Sequence, residues 1–172
     1  MYNPTKLIEQ LKNAKYNIEV HQHEALFTVE DSKKLRGNIG GLHSKNLFLK
    51  NKKNEFFLIS CEEAEIINLK EISKSLDLGN ISFGKEEYLD QYLKIKPGSV
   101  SPFALLNDKD GKVSFYLEQT LYESKFVNFH PLINSLTITI ETVKFIEFMI
   151  EKNKKIHIFS SLEGKVLKTY GK

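Results

Sequence analysis

A chain of 172 residues with 41% hydrophobic and 11% aromatic content holds enough apolar material for one well-filled core and little for two. The formal net charge of +3 is too mild to mark a nucleic-acid binder, and of the 25 basic residues only Arg36 is arginine, so phosphate contacts would rest on lysine point charges rather than bidentate forks. The single cysteine, Cys61, excludes an internal disulfide and a multi-cysteine zinc site. With no apolar stretch near the roughly 20 residues that span a bilayer and no leader-like start, the chain is expected to be soluble, cytoplasmic and free of membrane partners.

Asn3-Pro4 reads as a helix cap followed by proline at the first helical position, and Leu7, Ile8, Leu11 and Ala14 fall on one face of a helix running to about Lys15. Ile18-Glu19-Val20-His21 alternates as a short strand. A second helix is expected from Thr28 to near Gly37, with Glu30 and Asp31 in its first turn. His21 and His23, with Glu24 beside them, could present two rings to one side of a strand, but no third metal ligand stands at a recognisable spacing. Histidines lining a polar cleft are the better reading.

Gly37, Gly40 and Gly41 lead to His43-Ser44-Lys45-Asn46, which runs into the strand Leu47-Phe48-Leu49; after a turn at Asn51-Lys52-Lys53-Asn54, Glu55-Phe56-Phe57-Leu58-Ile59 returns as its partner. Lys45 and Asn46 are thereby expected at the start of a strand, where rigid elements present functional side chains. Cys61 follows the apolar run closely enough to be packed rather than reactive. Asn68 caps a helix bearing Leu69, Ile72 and Leu76 that ends before Gly79; Ile81-Ser82-Phe83 is a strand, and residues 85–94 form another helix.

Lys96-Pro97-Gly98-Ser99-Val100-Ser101-Pro102 is a rigid loop. Pro97-Gly98 suits a turn with glycine at positive φ, and Pro102 keeps Ser101 extended. The missing side chain at Gly98 lets another molecule approach its backbone N–H, with the Ser99 and Ser101 hydroxyls alongside, and the apolar run Phe103-Ala104-Leu105-Leu106 anchors the loop. The bland alternative is an ordinary turn between two core elements.

Val113, Phe115 and Leu117 alternate as a strand, and Phe126-Val127-Asn128-Phe129 is a further one that ends at His130-Pro131, where the proline fixes the direction of the imidazole. Thr137-Ile138-Thr139-Ile140 is a strand, residues 141–152 a largely buried helix, residues 155–159 a last strand with His157 on it, and residues 163–172 a loose polar tail. Helices and strands mix irregularly. This predicts one domain over residues 1–172 of the α/β or α+β kind, with helices around a mixed β-sheet.

The sequence contains no Gly-x-Ser-x-Gly elbow, phosphate-binding P-loop, dinucleotide fingerprint or His-Glu-x-x-His helix. The polar residues left at element ends are His21, His23, Lys45, Asn46, Ser99, Ser101, Asn107, His130 and Asn134. A lysine, two or three histidines and a glycine loop could hold an anion and a carbonyl without a strong nucleophile, which suits hydrolysis of an activated ester.

Three stretches carry a resemblance. His43-Ser44-Lys45-Asn46-Leu47-Phe48-Leu49, the run from Gly98 through Ser101-Pro102 to Asp108, and Phe129-His130-Pro131-Leu132-Ile133-Asn134 resemble, in order, the YbaK/prolyl-tRNA-synthetase-associated editing domains, and among them most resemble the freestanding alanyl-tRNA(Pro) deacylases. His23-Glu24 and Phe27-Thr28-Val29-Glu30 add a fourth agreement, and the likeness runs from Val20 through the last helix. It implies trans editing of tRNA(Pro) mischarged with alanine, with no cofactor and no metal, and with prolyl-tRNA synthetase as a further partner. A monomer is expected.

By the same resemblance Lys45 would bind the terminal phosphate or ribose region, with Asn46 in support. The backbone of Gly98 would hold the aminoacyl carbonyl in a loop closed by Pro102, and His130 would orient the aminoacyl-adenosine. His23, Ser99, Ser101 and Asn134 would complete the substrate site. Three alternatives stay open: a deacylase for cysteine or serine on tRNA, a non-catalytic module that binds tRNA or a synthetase, and a metal-dependent hydrolase using His21, His23 and another histidine.

Overall fold

The computed structural model describes residues 1–25, 30 and 38–171. The helix expected from Thr28 to Gly37 and the Phe27-Thr28-Val29-Glu30 motif lie outside these residues apart from Glu30.

The chain opens with α1 (Pro4–Asn13), capped by the Asn3 side chain, which accepts a hydrogen bond from the Lys6 N–H, and buries Leu7 and Leu11. β1 (Ile18–Gln22) follows, then the hairpin of β2 (Leu42–Asn51) and β3 (Phe56–Glu62). β2 starts earlier than the apolar run suggests, so Lys45 and Asn46 sit inside the strand, paired with Cys61 and Ser60, rather than at its start. α2 (Leu69–Ser75) is capped by Asn68 and leads to β4 (Ile81–Phe83).

The helix expected over residues 85–94 is instead a short α-helical turn, α3 (Glu86–Tyr88), that widens into a π-helical turn (Leu89–Leu93) and ends at Lys94 with φ 55°. With Pro97 ahead the helix cannot continue, and the left-handed Lys94 takes the role a C-terminal glycine usually fills. A 3₁₀ helix (Pro102–Asn107), β5 (Val113–Glu118), α4 (Gln119–Glu123), β6 (Phe126–Phe129), β7 (Leu136–Glu141), α5 (Thr142–Glu151), β8 (Ile156–Ser160) and β9 (Lys165–Tyr170) complete the chain. The tail expected to be loose is therefore mostly a strand. Gly164, at φ 64°, turns the chain, and β9 pairs antiparallel with β8 along a sheet edge whose side chains are nearly all exposed, which is why no apolar alternation marks it.

The described strands form one mixed sheet in the order β1-β7-β6-β2-β3-β5-β8-β9, with β4 paired to β2. This is the helix-flanked mixed sheet that the sequence predicts. Parity along the strands splits the side chains between two cores. Phe48, Phe56, Leu58, Phe115 and Ile158 join α1, α5 and the 3₁₀ helix in the larger core, while Leu49, Phe57, Ile59 and Phe159 pack with Ile72, Leu76 and Leu78 of the α2 region in the smaller. Central strands buried on both faces explain the unbroken apolar run in β3. α5 buries Phe145, Ile146, Phe148 and Met149 but leaves Val143 exposed, so its apolar surface is a broad stripe rather than the whole circumference.

Candidate functional site

On β1, β7, β6 and the first half of β2, the face opposite the larger core is polar. Val127, Phe129, Ile138 and Ile140 point into that core, so the alternate residues Asn128, Thr137 and Thr139 share the other face with His21. His43 opposes Asn128 directly, and Lys45 follows two residues along on the same face of β2.

Hydrogen bonds fix these groups in definite roles. The Asn128 amide donates to the carbonyls of Gly40 (2.8 Å) and Leu42 (3.2 Å), so its oxygen is the atom that accepts from the Thr139 hydroxyl at 2.5 Å. That hydroxyl, having given away its proton, accepts from His21 Nε2 at 3.1 Å. His23 donates Nδ1–H to the Glu24 carbonyl (2.8 Å) and accepts at Nε2 from the Thr137 hydroxyl (2.8 Å). Ser44 donates to the Asn128 carbonyl at 2.9 Å, Asn46 donates to Ser44 at 3.2 Å, and Ser60 donates to Asn46 at 2.5 Å. The chain of polar contacts thus runs from β1 to β3.

His130 closes this cluster. It follows β6, and its ring centroid lies 6.1 Å from that of His23. Its Nδ1 sits 2.8 Å from the Leu136 carbonyl, an acceptor only, so the neutral ring carries its proton there and Nε2 is left with the lone pair. Burial pushes its pKa below 6.5; the Leu136 hydrogen bond opposes this, and the His23 and His43 rings reinforce it. Pro131 then leads into a turn in which Leu132 is left-handed at φ 68°, and the same turn gives the Ser135 carbonyl to the His23 N–H at 3.1 Å. Between His130, Asn128, Thr137, Ser44 and Asn46 lies a polar cleft of about 30 Å³, room for about one water or a group of that size.

Lys45 is half-buried opposite Cys61. Burial pushes the Cys61 thiol up to about 12, against the opposing lysine charge, so Cys61 is a packed side chain and no nucleophile. Burial likewise raises the Glu65 carboxyl, with Ser161 and Lys45 opposing the shift.

The Gly98 loop is a type II turn closed by the Ser99 N–H on the Lys96 carbonyl at 3.1 Å, with Gly98 at φ 83°. Ser99, Ser101 and Pro102 are buried rather than displayed on a lip, and the Ser101 oxygen accepts from the Phe103 N–H at 3.3 Å as the cap of the 3₁₀ helix. Packing is what ties the loop to the cluster: the Phe103 ring meets Phe129, the residue before His130, edge-on at 6.0 Å. Asn107 has a structural task, holding both backbone groups of Tyr2 and the Leu93 carbonyl. Asn134 is half-buried in the turn ahead of β7. The structure therefore sets Asn46 and His130 on one cleft, places His23 beside it through Thr137 and the His130 ring, sets Lys45 on the adjoining strand surface, and connects Gly98, Ser99, Ser101 and Pro102 to it through the core. Among the described residues no three His, Cys, Asp or Glu side chains are grouped to hold a metal ion, so His21 and His23 find no third ligand.

Asn128, Thr137 and Thr139 are absent from the residues singled out by sequence. Their signal was the alternation Thr-Ile-Thr-Ile in β7 and a lone Asn between Val127 and Phe129, which place polar groups on one face of two strands that come to lie side by side.

Comparison with known proteins agrees with this architecture. The model of the aminoacyl-tRNA editing domain matches residues 23–148. A prolyl-tRNA synthetase associated domain-containing protein 1 from Xenopus laevis is 36% identical over 133 residues, covering 74% of this chain and 79% of its own. The prolyl-tRNA editing protein ProX of Acetoanaerobium sticklandii is 30% identical over 135 residues, covering 78% and 82%. A solved structure described as a candidate trans-editing enzyme for prolyl-tRNA synthetase superposes with a TM-score of 0.65 over 91% of this chain and 96% of its own at 12% identity, a likeness of fold. The matched region spans the polar cluster from His23 to β7, and on these findings the chain belongs to the aminoacyl-tRNA editing domain family as a ProX-like member.

Proposed function

We propose that the protein is a trans-editing deacylase that hydrolyses the ester joining alanine to the 3′ end of mischarged tRNA(Pro), releasing alanine and free tRNA(Pro). The observation that carries this reading is His130: it lines a polar cleft of about 30 Å³, and its Nδ1 is tied to Leu136, which leaves Nε2 with the lone pair. A small cleft suits a small amino acid. The selectivity problem is one of size, since a pocket made for proline gains only about 1 to 3 kcal/mol from the methylenes alanine lacks, whereas a second, smaller pocket rejects proline outright.

In this reading water adds to the ester carbonyl, the ribose oxygen leaves with a proton, and negative charge builds on the carbonyl oxygen in between. The Gly98 backbone holds that carbonyl and Lys45 the terminal phosphate or ribose, with Asn46 supporting the latter contact. A histidine whose pKa is lowered is a weak base, so His130 orients the aminoacyl-adenosine through a hydrogen bond accepted at Nε2 rather than deprotonating water. His23, Ser99, Ser101, Pro102 and Asn134 shape the surrounding substrate site. Relatives named for prolyl-tRNA editing and for association with prolyl-tRNA synthetase support tRNA(Pro) as the substrate and that synthetase as a partner.

The test is the rate of hydrolysis of alanyl-tRNA(Pro) beside prolyl-tRNA(Pro), alanyl-tRNA(Ala), cysteinyl-tRNA(Pro) and seryl-tRNA(Pro) at matched salt. Rapid loss of the first alone is expected. Preferential loss of the cysteinyl or seryl ester would transfer the activity to that substrate, and no hydrolysis of any would leave a binding module in place of an enzyme.

A further inference from the structure

The polar cluster occupies one end of the sheet; a larger groove lies at the other. Val113 of β5 pairs with Phe56 of β3, whereas Lys45 pairs with Cys61 at that strand's far end, a separation of about 17 Å at about 3.3 Å per residue. At the Val113 end, the turn before β5 and the turn between α5 and β8 face each other across a groove of about 430 Å³. Leu105, Val113 and Phe115 give it an apolar floor; Lys109, Ser114, Asn153, Lys154, Lys155 and His157 form its polar walls.

Its charge is one-sided. Asp108, the only carboxylate on the lining among the described residues, is buried, its two oxygens accepting from the Lys112 N–H (3.0 Å) and the Val113 N–H (2.8 Å). Lys154 is half-buried and its ammonium donates to the Asp108 backbone carbonyl at 2.6 Å; among the described residues no carboxylate lies within ion-pair distance of it. Burial pushes its pKa below the ordinary lysine value, with the Asp108 charge opposing. A partly desolvated cation whose nearby carboxylate, Asp108, is already taken up by two backbone N–H groups is costly for the fold alone and favourable once a further anion enters. Lys109 and Lys155 stand exposed on the two sides of the same groove, and Ser114 is exposed on its wall as a further donor.

We propose that this groove is a binding site for phosphate groups, separate from the candidate deacylation site and independent of its assignment. Lysine point charges with a serine hydroxyl suit a tetrahedral oxyanion, which needs no planar fork. The phosphate has two sources, the backbone of an RNA or a small phosphate ester such as a nucleotide, and they share this chemistry.

The experiment is a titration of the amide NMR spectrum of the whole protein, at fixed ionic strength, with inorganic pyrophosphate and separately with uncharged tRNA. Saturable shifts centred on Gly111, Ser114, Asn153 and Lys155 are expected with at least one of the two. In K109A/K155A, where both residues are exposed and the fold is left intact, the corresponding affinity should fall about tenfold or more, and in the RNA arm the salt slope should flatten by about 0.7 to 0.9 per lysine removed. A response to pyrophosphate with none to tRNA would identify a small phosphate ester as the ligand, and the reverse an RNA backbone. Absence of shifts at these amides with both probes, or equal affinities for wild type and K109A/K155A, would overturn the proposal. Deacylation rates do not enter either outcome.

Discussion

His130 is held neutral by its surroundings, and that has consequences for both stability and rate. Its unfolded-state pKa of 6.5 lies above its value in the folded chain, where burial and the neighbouring His23 and His43 rings disfavour the charge. Between the two values the unfolded chain binds more protons, so this contribution to stability is complete above about pH 6.5 and is lost as the pH falls through the folded pKa. His157, lowered by burial and then by Lys155, acts in the same direction. Denaturation midpoints measured from pH 7.5 down to 5 should therefore decline, and His130→Asn should remove part of the decline; an unchanged slope would show that the ring is not kept neutral. Deacylation should hold level above pH 6.5 for the same reason. His130→Ala and Lys45→Ala are each expected to abolish turnover with the fold intact, and full activity in either variant would remove that residue from the site. Cys61, with its thiol raised to about 12, should resist alkylation at neutral pH until the protein unfolds.

At the scale of elements, the entry into β2 is the joint on which the site depends. Asn128 grips the carbonyls of Gly40 and Leu42, and Gly41 between them runs at φ 83° so close to β6 that an added Cβ would meet Phe126 Cβ at 2.9 Å, the Phe126 carbonyl at 3.0 Å and Asn128 Nδ2 at 3.1 Å. Gly41→Ala combines left-handed strain of about 1 to 2 kcal/mol with that clash. The expected outcome is a loss of about 2 kcal/mol or more in stability, read as a lower denaturant midpoint at unchanged slope, together with weaker turnover because His43, Ser44 and Lys45 follow directly on the joint. The elements themselves were legible where local chemistry decides them: Asn3-Pro4 and Asn68 as caps, the hairpin turn at residues 51–54, Pro97-Gly98 as a type II turn. β9 was not legible because an edge strand with exposed side chains on both faces carries no alternation, and the helix over residues 85–94 was overestimated because its end is set by packing and a left-handed lysine. Of the polar cluster and its cleft, His23, Asn46 and His130 are among the residues that sequence singles out. Their hydrogen-bonding partners are not: Thr137 and Thr139 reach His23 and His21 only where β7 pairs with β1, across more than 110 positions, and Asn128 reaches the entry into β2 across more than eighty.

For the whole molecule, the sheet separates two kinds of electrostatic surface. One end carries neutral or hydrogen-bonded polar groups, with Lys45 beside them, and the other carries the lysine-walled groove. The net charge of +3 on 25 basic and 22 acidic residues gives only a weak uniform field, so attraction for a polyanion must come from how the lysines are distributed. If the substrate is a charged tRNA, phosphate contacts remote from the ester hold ground state and transition state alike. Raising the salt should then raise KM for the charged tRNA steeply while leaving kcat near its low-salt value. The check is a series of full kinetic curves across salt concentrations on alanyl-tRNA(Pro), with single-turnover rates at saturating protein to isolate the chemical step. A parallel fall in the single-turnover rate would mean that phosphate contacts help to build the transition state itself, and the weight of catalysis would then move from the small polar cleft at His130 toward Lys45.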